Sequence, residues 1–204
     1  MENKPIIICV GRQLGSGGRE IARRLAAEFD AKFYDRELLN LAAKESGFSE
    51  KMFERNDERK GFFKALFGVQ TFHLSGGLYR SDISQDSLFQ FQSDAIRKAS
   101  QEGNCVFVGR CADYVLRDMP NVVNIFVTAD IDWRAQHVMK RHECSKEEAQ
   151  KIIHHEESKR SSYYNYYTGK KWGAAESYDL CIDSSILGIE ETGKFIADFI
   201  RKCF

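Results

Sequence analysis

The stretch "PIIICV", residues 5–10, is apolar at nearly every position. A strand wetted on one face alternates apolar and polar residues, whereas an uninterrupted apolar run fits a strand covered on both faces of a parallel sheet. "NCVFVG" (104–109) and "VVNIFVT" (122–128) are built the same way, and "KFYD" (32–35) and "YDLCIDS" (178–184) add two shorter β-rich runs. Helical patterns lie between them. Residues 18–29 place Ile21, Ala22, Leu25, Ala26 and Phe29 on one stripe, with Arg19, Arg23 and Arg24 off it. Residues 36–45, 87–101, 131–142 and 146–160 also read as helices, as does the C-terminal "IEETGKFIADFIRKCF". Ser145 with Glu148 makes a capping-box pattern ahead of 146–160. Such alternation predicts an α/β layered domain with a mostly parallel sheet. With 204 residues, two prolines and no internal repeat, a single domain over 1–204 is the economical expectation.

Two stretches break the alternation. Residues 47–86 include "GFFKALFGVQTFHLSGGLYRSDISQ", and residues 156–177 read "EESKRSSYYNYYTGKKWGAAES". Long insertions in compact domains are usually lids or binding segments. The first suits an amphipathic packing or oligomer helix equally well. Phe62, Phe63, Leu66 and Phe67 there suit the face of a homodimer or of a buried helix.

Charge narrows the partners. The 30 basic and 30 acidic side chains cancel, which gives no broad electrostatic footprint for nucleic acid or an anionic membrane. The N-terminal apolar run is too short for a secretion signal or a spanning helix, so a cytoplasmic protein is expected. Six scattered cysteines without a CxxC pair argue against a disulfide framework. His137, His142, Cys144, His154 and His155 lie near one another in sequence, but no pair has CxxC or HExxH spacing, and no metal site is expected.

"GRQLGSGGRE", Gly11 to Glu20, sits between the first apolar run and the first helix. Gly15, Ser16, Gly17 and Gly18 there allow a tight turn whose amides point at one anion, with the helix dipole adding attraction. Against GxxxxGK[ST], the best register puts Arg12 on the first glycine, Gly17 on the second, Gly18 on the lysine and Arg19 on the hydroxyl position. The phosphate-gripping lysine and the Mg²⁺-binding hydroxyl are both missing. A bare strand–helix turn fits the glycines as well. Arg19 opens a helix, an unfavourable place for a cation unless an anion is close, and arginine forks on Arg12 and Arg19 would supply the charge. Arg23, four residues on from Arg19 and on the same face, suits either such a fork or a solvated face, and Arg24 suits a solvated face better.

"GRQLGSGGREIARRLA", "FYDRELL", "VFVGRCADYVL", "YYNYYTGKKWG" and "YDLCIDSS" together resemble the cytidylate kinase-like family, P-loop nucleoside monophosphate kinases without the loop lysine. The resemblance implies a three-layer P-loop kinase-type sandwich with a five-stranded parallel sheet in the order 2-3-1-4-5. It implies transfer of the γ-phosphoryl group of ATP, with Mg²⁺, to a nucleoside monophosphate, CMP or dCMP. Donor phosphates would lie on Arg12, Gly15, Ser16, Gly17, Gly18 and Arg19. The acceptor would lie on Asp35, Arg36, Arg110 and Asp113, in an insertion spanning about 36–100. A lid spanning about 156–177 would bring Lys159 and Arg160 to the transferring group, with Arg19 as the third catalytic cation. Asp35 suits a helix N-cap equally well. Arg134 and Arg141 suit either donor-side contacts or a wet helix face, and Tyr163, Tyr164, Tyr166, Tyr167 and Trp172 suit packing better than base stacking. Two other functions stay open: a nucleotide-binding regulator that has lost catalysis with its lysine, and a kinase for a non-nucleotide small molecule.

Overall fold

The computed structural model describes residues 5–35 and 85–204. The chain gathers into two compact units, one of Met1–Arg36 with Ile96–Phe204, the other of Glu37–Ala95. The second falls within the expected insertion, and most of it lies outside the described residues. So do Arg36, the expected helix at 36–45 and the apolar face at Phe62, Phe63, Leu66 and Phe67.

Within the first unit, strands β1 (Ile7–Arg12), β2 (Lys32–Tyr34), β3 (Cys105–Val108), β4 (Val122–Thr128) and β5 (Leu180–Asp183) form one parallel sheet in the order β2-β3-β1-β4-β5. Ile7, Ile8, Cys9 and Val10 are all buried, as an apolar run in a central strand requires. On one face Ile8, Val10, Val106, Ile125 and Val127 pack with Ile21 and Leu25 of helix α1 (Gly18–Glu28) and Ile196 and Ile200 of the C-terminal helix. The opposite face carries Ile7, Cys9, Cys105 and Phe107, also buried. There Cys105 donates to the Ala99 carbonyl at 3.1 Å, near the end of helix α2 (Gln85–Ser100), and Phe107 stacks on Tyr34 at 5.2 Å. Each fully buried Ile or Phe contributes roughly 1.5–3 kcal/mol and an exposed ion pair roughly 0–1, so this core holds the strands together.

Helices α3 (Ala112–Val115), α4 (Ile131–His142), α5 (Lys146–Thr168) and α6 (Ser184–Cys203) complete the unit. The Asp130 side chain caps α4, accepting from the amides of Asp132 at 2.8 Å and Trp133 at 3.2 Å. The capping box expected at α5 is formed: Ser145 accepts from the Glu148 amide at 3.2 Å, and Glu148 from the Ser145 amide at 2.9 Å. Ala135, Val138, Ala149 and Ile153 join α4 to α5, and a buried ion pair between Arg134 and Glu157 reinforces the seam. Arg134 therefore does not lie on a wet helix face.

Helix α5 runs to Thr168, eight residues beyond the expected end at 160, and is capped by Gly169 in the left-handed conformation. The first half of the expected lid is thus regular helix. Serine, tyrosine and asparagine form helices poorly, and packing supplies what propensity lacks. Tyr164 is buried, its hydroxyl donating to Asp113 at 2.7 Å, while Thr168 donates to the Tyr164 carbonyl at 2.7 Å. Helix α6 is broken at Gly188 (φ 76°, ψ 168°), and its second segment begins at Ile189, the expected start of the C-terminal helix. Among the described residues no helix is long and apolar enough to cross a membrane.

Candidate phosphate-binding site

The loop between β1 and α1 is braced from below. The Gln13 amide donates to the Val127 carbonyl at 3.0 Å, and its side-chain oxygen accepts from the Thr128 hydroxyl. Ser184 donates to the Ser16 carbonyl at 2.6 Å and to the Thr128 carbonyl at 3.1 Å. Sequence reading missed Gln13 and Ser184; their partners lie on β4 and in the loop itself, and no local pattern reports them. Gly15 and Gly17 adopt φ of 82° and 73°, which a side chain would strain. With the loop so held, the amides of Leu14, Gly15 and Gly17 find no acceptor among the described residues. Unpaired amides at the mouth of an 11-residue helix whose N-cap, Gly17, offers no capping side chain form a concavity for an anion.

The Ser16 side chain does not face that concavity. It is fully buried, donates to the Gln13 carbonyl at 3.0 Å and accepts from the Gly18 amide at 3.4 Å, so it shapes the loop.

Cations converge around the loop. Arg12 ends β1, and its guanidinium reaches the tip of β3 at Gly109. Its pKa is pushed down to about 9, first by its enclosure and then by the like charges of Arg160, Arg110 and Arg19, with Asp35 pulling the other way. It remains a cation at neutral pH. Arg160, on α5, donates to the Arg12 carbonyl at 3.2 Å. Enclosure also holds Arg160 below its ordinary value, opposed by Glu156 and Glu157 and aided by Arg141 and Arg110. Arg110 lies over the Tyr163 ring, 5.4 Å from its centroid. Gly109, Arg110 and Cys111 take successive left-handed conformations at φ 73°, 60° and 56°. Each such non-glycine residue costs roughly 1–3 kcal/mol, strain that persists where the surroundings over-determine it. Packing several guanidiniums together is unfavourable without a multivalent anion to share them.

Other expected site residues are engaged differently. Arg19 meets its anion within the protein: it ion-pairs with Asp35, buried at the end of β2, and its Nε donates to the same oxygen at 3.1 Å. Arg23 sits over the Phe33 ring at 5.2 Å, and exposed Arg24 pairs with Glu20 at 3.3 Å. Asp113 is buried and bonded to Tyr164; its pKa is raised, chiefly by burial, although the Tyr164 hydroxyl and Lys170 pull it down. Lys159 is exposed and pairs with Glu156 at 3.0 Å. Neighbours on a helix point about 100° apart, so Arg160 reaches the loop and Lys159 does not. Tyr178 lies 4.9 Å from Phe126 and Trp172 lies 5.2 Å from Phe126, so these rings pack together. Tyr166 is exposed.

Among the described residues no three His, Cys, Asp or Glu side chains gather as a metal cage. Nor does the loop offer a free hydroxyl, with Ser16 turned inward and Arg19 at the hydroxyl position. The residues present fit a polyphosphate; a divalent ion there would rest on phosphate oxygens and water.

A five-stranded parallel sheet in this order, with a glycine loop leading from the central strand into a helix, is the P-loop kinase-type fold. The chain belongs to the cytidylate kinase-like family, whose model matches residues 7–186. Among solved structures it is similar to an uncharacterized protein from Eubacterium ventriosum, at 27% identity and a TM-score of 0.72, covering 96% of this chain and 98% of that one. It also resembles a shikimate kinase from Bacteroides thetaiotaomicron (11% identity, TM-score 0.54, coverage 96% and 98%). A gluconokinase from Sinorhizobium meliloti is similar too (11% identity, TM-score 0.55, coverage 98% and 94%). The last two likenesses concern the fold alone. No curated protein matches the chain.

Proposed function

We propose that the chain is a nucleoside monophosphate kinase that passes the γ-phosphoryl group of ATP to a pyrimidine nucleotide, CMP or dCMP. One observation carries this reading: unpaired loop amides follow Arg12, whose carbonyl accepts from Arg160 and whose guanidinium reaches Gly109 beside Arg110. Family membership and the fold support a kinase. The amides of Leu14, Gly15 and Gly17 with Arg12 hold the donor phosphates. Arg160 enters from α5 on the flank, where the transferring group gathers charge. Arg110, at the carboxyl end of β3, holds the acceptor phosphate, and the Asp35–Arg19 pair borders the acceptor side. Phosphoryl transfer depends mainly on positioning and on fixed charge facing the spreading negative charge, and guanidinium forks supply both. Mg²⁺, when bound, would neutralise phosphate oxygens, held by the nucleotide and water with Asp35 nearby. Lys159 and Asp113 carry no contact to substrate in this reading.

A coupled ADP-release assay across the nucleoside monophosphates tests it. Turnover should be highest with CMP or dCMP and should fall at least about tenfold in Arg110→Met, the loss expected for one charge-assisted contact. Turnover with none of them, in protein that ATP protects from heat, refutes the nucleotide acceptor, and a nucleotide-binding regulator is favoured if no other acceptor turns over either. The folds shared with shikimate kinase and gluconokinase support a second reading, a small hydroxylated acceptor, which the same assay examines with shikimate and gluconate.

A further inference from the structure

The loop pattern of P-loop proteins carries a lysine where this chain has Gly18, and that lysine reaches the β- and γ-phosphates. In this fold the space is taken. A Cβ added at Gly18 would stand 2.6 Å from Arg12 Cβ, closer than side chains pack, with Arg12 Cγ and Val127 Cβ each at 3.2 Å. The nearest of these, Arg12 Cβ, is fixed by the backbone of a central strand and cannot swing aside. At its far end Nη1 lies against Gly109, where the φ of 73° already favours glycine. Arg12 thus runs past one glycine to reach another, 91 residues later in the chain. Its guanidinium makes no hydrogen bond or ion pair with the described residues, although Arg19 beside it has Asp35.

We infer that Arg12 and Gly18 form a reciprocal exchange. The cation that the loop pattern takes from position 18 enters instead from the strand at position 12, and position 18 lacks a side chain because the stem of Arg12 fills its place. The ligand class is the polyphosphate of a nucleotide. A planar fork bonds two phosphate oxygens at once, where an ammonium acts as a point charge. The inference rests on the phosphate-site reading above, and it adds that the two positions cannot be changed independently.

Calorimetry with ATP and with inorganic tripolyphosphate, together with thermal unfolding, tests the exchange on the full chain. Arg12→Met keeps the stem and removes the charge; its unfolding midpoint should stay near wild type while affinity falls about tenfold to a hundredfold. Arg12→Lys should recover part of that loss. Gly18→Lys alone should lower the midpoint and abolish binding, since lysine and the arginine stem cannot share one space. Arg12→Gly with Gly18→Lys should raise the midpoint above that of Gly18→Lys alone and bind at least about tenfold more tightly than Arg12→Gly alone. Wild-type binding that Arg12→Met leaves intact overturns the exchange while leaving the phosphate site standing. A double variant no better than Arg12→Gly overturns it as well. Failure of the wild type to bind either ligand overturns the phosphate site itself, and the exchange with it.

Discussion

Tyr164→Phe removes one oxygen from the point where α5 is tied to α3. The hydroxyl donates to Asp113 at 2.7 Å, and both residues are buried, at 5% and 9% relative exposure. Losing the donor of a bond to a charged group costs about 1.5–3 kcal/mol. Two backbone amides, those of Asp113 and Tyr114, still face the carboxylate, so the lower half of that range applies, about 2 kcal/mol. For a chain of this length that lowers the melting temperature by about 4–8 °C. Tyr164 lies one turn beyond Arg160, so the loss also loosens the helix that brings Arg160 to the loop, and phosphate affinity should fall with stability.

The pH dependence has a definite sign. Burial raises the Asp113 pKa above the ordinary carboxylate value of about 3.9. The native state therefore holds more protons than the unfolded state between those two values, and stability falls as pH rises through that window. The Tyr164 hydroxyl pulls the pKa back down. Without it the group titrates higher, and the penalty of Tyr164→Phe grows from pH 5 toward pH 7.5. Urea unfolding of wild type, Tyr164→Phe, Asp113→Asn and the double variant at both pH values measures this. In the Asp113→Asn background the hydroxyl should be worth only about 0.5–1.5 kcal/mol at either pH, the value of a neutral pair. A Tyr164→Phe cost below about 0.5 kcal/mol at pH 7.5, within ordinary surface scatter, would refute the reasoning. So would a cost that Asp113→Asn leaves unchanged.

Glu157→Gln takes the charge from the partner of Arg134, which keeps its bond to the Ala129 carbonyl at 3.0 Å, and should cost about 1.5–3 kcal/mol in chemical denaturation, while Lys159→Ala, on the exposed face of α5, should stay within about 0.5. Asp35→Asn removes a negative charge that faces Arg19 and Arg12; affinity for ATP, read by calorimetry, should rise while turnover falls. Gly109→Ala places a side chain at φ 73° against the end of Arg12 and should lower stability by about 1–2 kcal/mol from the backbone alone, with weaker ATP binding. In an Arg12→Ser background the stability cost should persist and the effect on binding should vanish.

The sheet was legible because its signal is local. A central strand buried on both faces must be written in apolar residues, and "VVNIFVT" has the same bounds in the sequence as in the fold. The capping box at Ser145 was legible for the same reason. The end of α5 was not, because poor helix formers are held there by Asp113, 51 residues earlier. Which of Lys159 and Arg160 faces the loop depends on a helix rotation fixed by packing at Ala149, Ile153 and Tyr164. That Arg19 needed an anion could be read from its place at a helix start; that the anion is Asp35 needed the return of β2 beside β1's neighbour.

Loss of the lysine is therefore weak ground for loss of phosphate binding. What a polyphosphate requires at a loop is donors fixed in direction and positive charge within a few ångströms, and neither requirement names a sequence position. In the proposed site the donors are main-chain groups, held by Gln13, Ser184 and the left-handed glycines. The charge comes from the last residue of β1, the tip of β3 and the middle of α5. Guanidiniums on three separate elements repel one another in the empty protein, and that repulsion is relieved when an anion enters. Binding should accordingly stabilise the first unit by more than occupancy of the loop amides alone, and rising salt should erode this extra increment before it erodes the bare chain's own stability. Thermal unfolding with and without ATP across a salt series separates the two contributions. A salt-independent ATP increment would mean that the amides bind alone and the arginines serve only the fold.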